Sequence, residues 1–232
     1  GYKKIKSIEI MNLSEDGSNV TGNKHKIQCD CLSISGGWTP IVHMHTQSGG
    51  KLDFREIDQV FVPSEKSENH INVGSCNGDF ELEEIVKNTN NKVKKFLNIN
   101  ESGFDKISVL CSKELEKKNI WLLPNTISEG KTKSFIDFQN DSTAKDIKLA
   151  LREGFKSIEH VKRYTTTGMA TDQGKLSNMH ALGIIADTAG VKMGTLGTTT
   201  FRPPFTPLTF GAIVGRSVGK FFDVVRKTSI HE

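Results

Sequence analysis

The sequence predicts an α/β protein in which a partial dinucleotide-binding region precedes a small three-helix module and an extended tail. Residues 3–74 contain short runs of alternating apolar and polar side chains, which is the period of a β-strand. Residues 82–97 and 135–190 instead place their apolar side chains at helical spacing. Glycine and proline become frequent after residue 191, which is typical of a connector.

Composition excludes two classes of partner. The chain has 232 residues and a net charge of +4, and its lysine-rich stretches lack interleaved aromatic residues, so no nucleic-acid partner is expected. No apolar run approaches the roughly 18 residues that a membrane helix needs, and no secretory leader is recognisable. The cysteines are few and irregularly spaced, which favours a reducing cytoplasm: Cys29, Cys31, Cys76 and Cys111.

Residues 1–95 are predicted to form the C-terminal part of the dinucleotide-binding region. The expected strands lie within residues 4–13, 25–37, 58–65 and 70–80. The last of them runs into a G-x-x-x-G turn at Gly74 and Gly78, and a helix over 81–99 follows. A strand, a glycine turn and a helix together make a βα unit typical of nucleotide-binding architecture.

The remaining chain divides into three parts. Residues 96–134 are predicted to be a linker with one short docking strand in "NIWLLP", and residues 191–232 an extended connector. Residues 135–190 carry three helices. The first is expected to begin at Thr143 with Asp146 as the partner in a capping box, the second to run from Ser157 to Gly168, and the third from Ser177 to Gly190.

The segment "GSCNGD" at residues 74–79 is a candidate phosphate or dinucleotide site. Backbone N–H groups before a helix point at an anion, and the helix dipole favours negative charge there. An ordinary βα turn explains the same residues, and the chain contains no G-x-G-x-x-G motif. Likewise, the hydroxyl run at residues 165–167 could bind phosphate or satisfy its own helix end.

Two residue pairs, Cys29 with Cys31 and His43 with His45, suggest a zinc site if both lie on extended strands. Structural zinc pairs usually have two or more residues between their cysteines, and the glycine pair at residues 36–37 interrupts the geometry. Buried strand cysteines and loop histidines are the favoured interpretation. No spacing in the chain identifies catalytic residues.

Long segments of the chain resemble the alpha subunit of heterotetrameric sarcosine oxidase. They are "CDCLSISGGWTPIVHMHTQSGGKL", "FIDFQNDSTAKDIKLALREGFKSIEHVKRYTTTGMATDQGK", "GTTTFRPPFTP", "FGAIVGR" and "VRKTSIH". Nearly the whole chain is covered, and residues 88–132 match least. The resemblance, together with Gly1 in place of a methionine, predicts an internal segment of a longer polypeptide with a pyridine nucleotide-disulfide oxidoreductase-like region.

The helical module also resembles the small [2Fe–2S] domains of bacterioferritin-associated ferredoxin type. The positions that match their cysteines are Asp137, Gln139, Asp172 and Ser177. Thiolates hold such clusters, so the resemblance implies a module without iron or any other metal. We expect the four side chains to lie near one another, with Asp172 accepting hydrogen bonds from backbone N–H groups.

The resemblance implies an oxidase that demethylates sarcosine to glycine, passing the methyl carbon to tetrahydrofolate and the electrons to oxygen. NAD is expected in the alpha subunit, at a site that includes the turn from residue 74 to residue 80. FAD and FMN are expected in the holoenzyme with its beta, gamma and delta subunits. The alternatives are a secondary-amine, proline or opine dehydrogenase subunit, or a non-catalytic assembly segment. The predicted cofactor-binding residues are Gly74, Ser75, Cys76, Gly78 and Phe80.

Overall fold

The computed structural model describes residues 4–64, 70–99, 119–126, 131–203, 206, 208–221 and 229–230. The protein is mixed α/β, and its strands pair as separate two-stranded antiparallel sheets. The pairs are β1 (Ser7–Leu13) with β2 (Val20–Gln28), β3 (Leu52–Arg55) with β4 (Val60–Pro63), and β5 (Phe135–Asp137) with β6 (Ser142–Thr143).

Several of the predicted strands differ from the structure. The strand expected over residues 25–37 ends at Gln28, and residues 70–73, expected to be the strand of a βα unit, are not in a strand. Residues 119–124, expected to contain a docking strand, are also irregular. Alternation identifies a chain segment that suits a sheet, but a strand forms only where a neighbouring strand pairs with its backbone groups.

The helices agree better with the sequence. They are α1 (His43–Gln47), α2 (Leu82–Leu97), α3 (Ala144–Arg152), α4 (Ile158–Thr165), α5 (Asn178–Ala189), α6 (Met193–Leu196) and α7 (Phe210–Val214), with 3₁₀ helices at Gly74–Asn77 and Arg216–Phe221. The predicted helix after the glycine turn and the three helices of the module are confirmed. The tail, predicted to be extended, instead contains α6 and α7.

Local capping signals explain where the module helices begin and end. Thr143 and Asp146 form the predicted capping box at the start of α3. Gly190, at φ 66°, ends α5 as expected. However, α4 ends at Thr165 rather than at Gly168, because Thr166 already adopts a left-handed conformation with φ 59°.

The hydrophobic core surrounds α5. The six residues Ala181–Ala186 are all buried, and Ile147 of α3 and Val161 of α4 pack in the same cluster. Phe61 of β4 also belongs to this cluster, so the core joins residues from the predicted nucleotide-binding region and from the helical module. The domain boundaries at residues 95 and 135 stay a prediction.

Trp121 attaches the segment at residues 119–126 to α5. Its indole ring packs against the core, and the side chain of His180 contacts the Trp121 carbonyl oxygen. The ring lies directly over Gly183, where a Cβ atom would overlap the indole. A glycine at residue 183 therefore makes room for the tryptophan within the buried stretch Ala181–Ala186 of the helix.

We predict that Gly183→Ala lowers the free energy of unfolding by about 1–3 kcal/mol, because the added methyl group displaces Trp121. Urea unfolding followed by tryptophan fluorescence measures this loss. Gly36→Ala is the matched control, since a Cβ there meets nothing within 4 Å. Equal stability of the two variants would contradict the proposed packing of Trp121.

Candidate functional site

Arg55 of β3 holds the turn at residues 74–80 in place. The guanidinium donates to the carbonyl oxygen of Gly78 at 2.6 Å and pairs with Asp58. Its hydrogen bond to Asp58 raises the pKa of Arg55. A Cβ on Gly78, which has φ 83°, would overlap Arg55 and Val62. Gly78 is therefore required by contacts within the protein.

A polar network satisfies the groups behind this turn. Asp79 is buried and accepts from Asn77 Nδ2 at 3.3 Å and from Asn88 Nδ2 at 3.1 Å. Lys92 Nζ of α2 donates to Asn77 Oδ1 at 2.9 Å. The thiol of Cys76 donates to the Val73 carbonyl at 3.0 Å. The bonds from Asn88 and Lys92 fix the turn against α2.

The five predicted cofactor-binding residues differ in accessibility. Ser75 is exposed, Gly74, Cys76 and Phe80 are half-buried, and Gly78 is buried. Beside them, the first turn of α2 carries Glu83 and Glu84. These carboxylates stabilise the helix N-terminus but repel a phosphate there. The open edge at Gly74 and Ser75 therefore suits the uncharged parts of a nucleotide better than its pyrophosphate.

A second polar site lies where the turn after β5 meets the loop after α4. Asp137 is 3 % exposed, and its Oδ1 accepts from the N–H groups of Gln139 at 2.9 Å and Asn140 at 3.1 Å. Its Oδ2 accepts from the N–H of Gly168 at 2.8 Å. Gln139 Oε1 accepts from Thr171, through the backbone N–H at 3.0 Å and the hydroxyl at 2.8 Å.

The prediction that these two turns lie together is confirmed by those bonds. Asp172 accepts from the N–H groups of Gly174 at 3.1 Å and Leu176 at 3.3 Å, as expected from the sequence. Ser177 is 1 % exposed, and its hydroxyl has no hydrogen-bond partner among the described residues. Asp137 and Gln139 therefore bond across the two loops and Asp172 accepts as expected within its own turn, whereas the expectation that all four side chains lie near one another stays a prediction.

The zinc alternative places both residue pairs on extended strands. In the structure β2 ends before Cys29, and neither pair lies in a strand. His43 and His45 lie in α1 and are buried, and Cys31 is exposed. The favoured interpretation, buried strand cysteines and loop histidines, was therefore also wrong. Among the described residues, no three or more His, Cys, Asp or Glu side chains gather as metal ligands.

His43 joins three segments that are distant in sequence. Its Nε2 lies 3.3 Å from the carbonyl oxygen of Gln173, and its ring stacks on Phe201 with 3.8 Å between centroids. An apolar cleft of about 30 Å³ adjoins the pair. Burial lowers the pKa of His43, and nearby Lys175 lowers it further against the opposing hydrogen bond to Gln173. Sequence spacing gave no signal for this contact.

A further pair on α4, Glu159 and Lys162, holds the backbone of Thr200. The carboxylate of Glu159 accepts from the Thr200 N–H, and Lys162 Nζ donates to the Thr200 carbonyl at 3.2 Å. Burial lowers the pKa of Lys162. Burial raises the pKa of Glu159, but the bonds from Thr200 and the nearby positive charges outweigh it and leave that pKa lowered.

Comparison with known proteins identifies relatives over the whole chain. Residues 131–216 match the family model of the sarcosine oxidase A3 domain. The sarcosine oxidase alpha subunits of Rhizobium meliloti (strain 1021) and Corynebacterium sp. (strain U-96) are 36% and 34% identical over 100% and 98% of this chain. The chain is homologous to a segment of sarcosine oxidase alpha subunits. It spans about a quarter of their length, 23% and 24% respectively.

Two further comparisons bear on the same relationship. An opine oxidase subunit of Rhizobium meliloti (strain 1021) is 34% identical over 31% of this chain and 16% of its own length. The crystal structure of L-proline dehydrogenase from P. horikoshii superposes with a TM-score of 0.61. It covers 92% of this chain and 43% of that protein at 18% identity, so the two share a fold. Within the described part of this sarcosine oxidase homologue, no helix is long and apolar enough to cross a membrane.

We predict that Asp137→Asn lowers the free energy of unfolding by about 2–3 kcal/mol, because an amide cannot accept from all three N–H groups that now bond to the carboxylate. Thermal and urea unfolding measure the loss. Asp141→Asn is the control, since Asp141 is exposed and asparagine tolerates its positive φ of 53°. A loss of equal size in both variants would show that the three bonds contribute nothing.

We also predict that stability falls as the pH decreases below the ordinary His43 pKa of 6.5. Because the folded pKa is lowered, the unfolded state binds the proton first, so the stabilisation present above 6.5 is lost as the pH falls through the folded pKa. Thermal melts from pH 7.5 to 5 measure it. In His43→Phe, which keeps a ring against Phe201, this part of the pH dependence should disappear, whereas it should persist in His25→Gln.

Proposed function

We propose that the protein acts within the alpha subunit of a sarcosine oxidase-type flavoenzyme. The complete enzyme would demethylate sarcosine to glycine, pass the methyl carbon to tetrahydrofolate and reduce oxygen. The supporting observation is the extent of the homology: sarcosine oxidase alpha subunits match 98–100% of the chain, whereas the opine oxidase subunit matches 31%. The chain is thus related to the sarcosine enzymes over residues that the opine match does not include.

Within that enzyme we assign a supporting role to this segment. Residues 1–95 would be the end of the NAD-binding region, 96–134 a linker, 135–190 a cluster-free helical module, and 191–232 a connector to a folate-binding domain. FAD and FMN would be held with the beta, gamma and delta subunits, in the cytoplasm. The bonds of Asp137 and Gln139 support this role, because they hold the two loops of the module together through the protein's own groups.

The NAD proposal fits part of the turn at residues 74–80. Ser75 presents an exposed hydroxyl that could hydrogen bond to a ribose or an amide, and Gly74, with φ 67°, leaves the backbone open to close approach. Cys76 and Gly78 are instead engaged with the protein. When bound, NAD would supply hydride-transfer chemistry, and these residues would only position it. The pyrophosphate needs a phosphate-binding loop of another segment.

The decisive experiment for the reaction is to coexpress the complete alpha subunit with the beta, gamma and delta subunits. Turnover is then measured with sarcosine, proline and an opine, following oxygen consumption and glycine formation. We expect sarcosine to be the preferred substrate by kcat/KM. Preferred turnover of proline or an opine would replace the proposal with the related dehydrogenase or oxidase, and inactivity toward all three would favour an assembly role.

A separate prediction tests the NAD contact. In the assembled protein, Ser75→Glu should weaken NAD binding about tenfold, because it places a negative charge at the open edge of the turn. Ser134→Glu, also at an exposed serine, is the control and should bind NAD normally. Calorimetry measures both. Micromolar binding of NAD by the 232-residue chain alone would contradict the need for another phosphate-binding segment.

A further inference from the structure

A pair of histidines outside the candidate site lies between α1 and the segment that enters the glycine turn. His45 Nδ1 is 2.8 Å from His70 Nε2, and the Asn72 side-chain amide is 2.9 Å from the same nitrogen of His45. The hydroxyl of Ser48 lies 3.5 Å from His70 Nε2. Four polar side chains from two segments therefore converge on one point.

The orientation of the His45 ring is fixed. Its Nε2 lies 2.8 Å from the carbonyl oxygen of Lys51, which can only accept, so Nε2 carries the hydrogen and Nδ1 presents a lone pair. The side chain is buried at 2 % exposure, and a Cβ on Gly50 would overlap the ring. A backbone carbonyl that holds the second ring nitrogen in this way is the usual support of a metal-binding histidine.

The groups around this lone pair are mismatched while both imidazoles are neutral. If His70 Nε2 donates, it competes with the Asn72 amide for the single lone pair of His45 Nδ1. If His70 Nε2 accepts, two lone pairs face each other across 2.8 Å. A cation between the two imidazoles resolves both cases, because each nitrogen then points a lone pair at a positive charge and the Asn72 amide, rotated by 180°, presents its oxygen in place of Nδ2.

We propose that His45 and His70 are two ligands of a site for a divalent first-row transition metal such as zinc. Imidazole nitrogens suit these ions, and the Asn72 amide oxygen, the Ser48 hydroxyl and water would complete the coordination. Zinc–nitrogen bonds of about 2.0–2.1 Å in tetrahedral geometry place the two nitrogens about 3.3 Å apart. The pair at 2.8 Å needs to open by about half an ångström.

Such a site differs from the zinc alternative considered from the sequence. It uses neither Cys29 nor Cys31, and it contains two imidazoles rather than three or more strong ligands. An ion here would tie α1 to residues 70–72, immediately before the turn at Gly74. It would therefore rigidify the entry to that turn, whatever substrate the complete enzyme oxidises.

The test is calorimetric titration of the full chain with Zn²⁺, together with thermal melts. We expect one zinc ion per chain and a raised melting temperature. His70→Ala, which removes the less buried ligand, should weaken binding at least tenfold and abolish the rise in melting temperature. His25→Ala, an exposed histidine of β2, is the control and should behave like the parent. Circular dichroism checks that each variant is folded.

Cysteine thiolates also bind zinc. The titration is therefore repeated in a Cys29→Ser, Cys31→Ser background, and absorption spectra are recorded with Co²⁺ in place of Zn²⁺. The proposal expects binding to persist in this background without a thiolate-to-cobalt charge-transfer band. Loss of binding in the serine background, unchanged binding in His70→Ala, or no binding at millimolar zinc would each overturn it. His45→Ala adds a second check: if it folds, it should bind no more tightly than His70→Ala.

Discussion

The burial of α5 on all sides determines where the elements around it lie. Six consecutive residues, Ala181–Ala186, are buried, so this helix has no polar face to turn toward water over that length. α3, α4 and α6 pack with it in one core, and Phe61 of β4 and Trp121 of the segment at residues 119–126 join from other parts of the chain. The core thereby brings the β3–β4 hairpin and the helical module into contact.

The sequence predicted α2, α3, α4 and α5 well because their signals are local, whereas it missed the short helices α1, α6 and α7. The pairing of Thr143 with Asp146 lies within one turn, and Gly190 ends α5 through its own backbone conformation. The strands were predicted less accurately, because a strand forms only where a second segment pairs with its backbone. Residues 70–73 carry the right alternation, yet their neighbours are α1 and α2: Asn72 contacts His45 through its side chain and Lys92 through its carbonyl. No local pattern specifies such partners.

In the candidate sites, too, contacts within a few residues of chain were predicted, whereas contacts between distant segments were missed. The bonds of Asp172 to Gly174 and Leu176 are made within four residues of chain and were expected. The bond from Arg55 to Gly78 spans 23 residues, and the contact of His43 with Gln173 spans 130. Arg55 and His43 were therefore missed as structural partners, although both decide how the turns are held.

The four positions that the sequence resemblance matches to cluster cysteines differ in how far hydrogen bonds satisfy their side chains. Asp137, Gln139 and Asp172 each accept hydrogen bonds from N–H or hydroxyl groups of the two turns, so their oxygens are satisfied without an ion. Ser177 is different: a buried hydroxyl without a partner among the described residues costs about 1–3 kcal/mol. It sits at the N-terminus of α5, where the buried residues that follow hold the backbone in place. Core packing thus tolerates the one position of the four that hydrogen bonding leaves unsatisfied, and the module keeps its shape through the apolar contacts of α5 together with the bonds of its two turns.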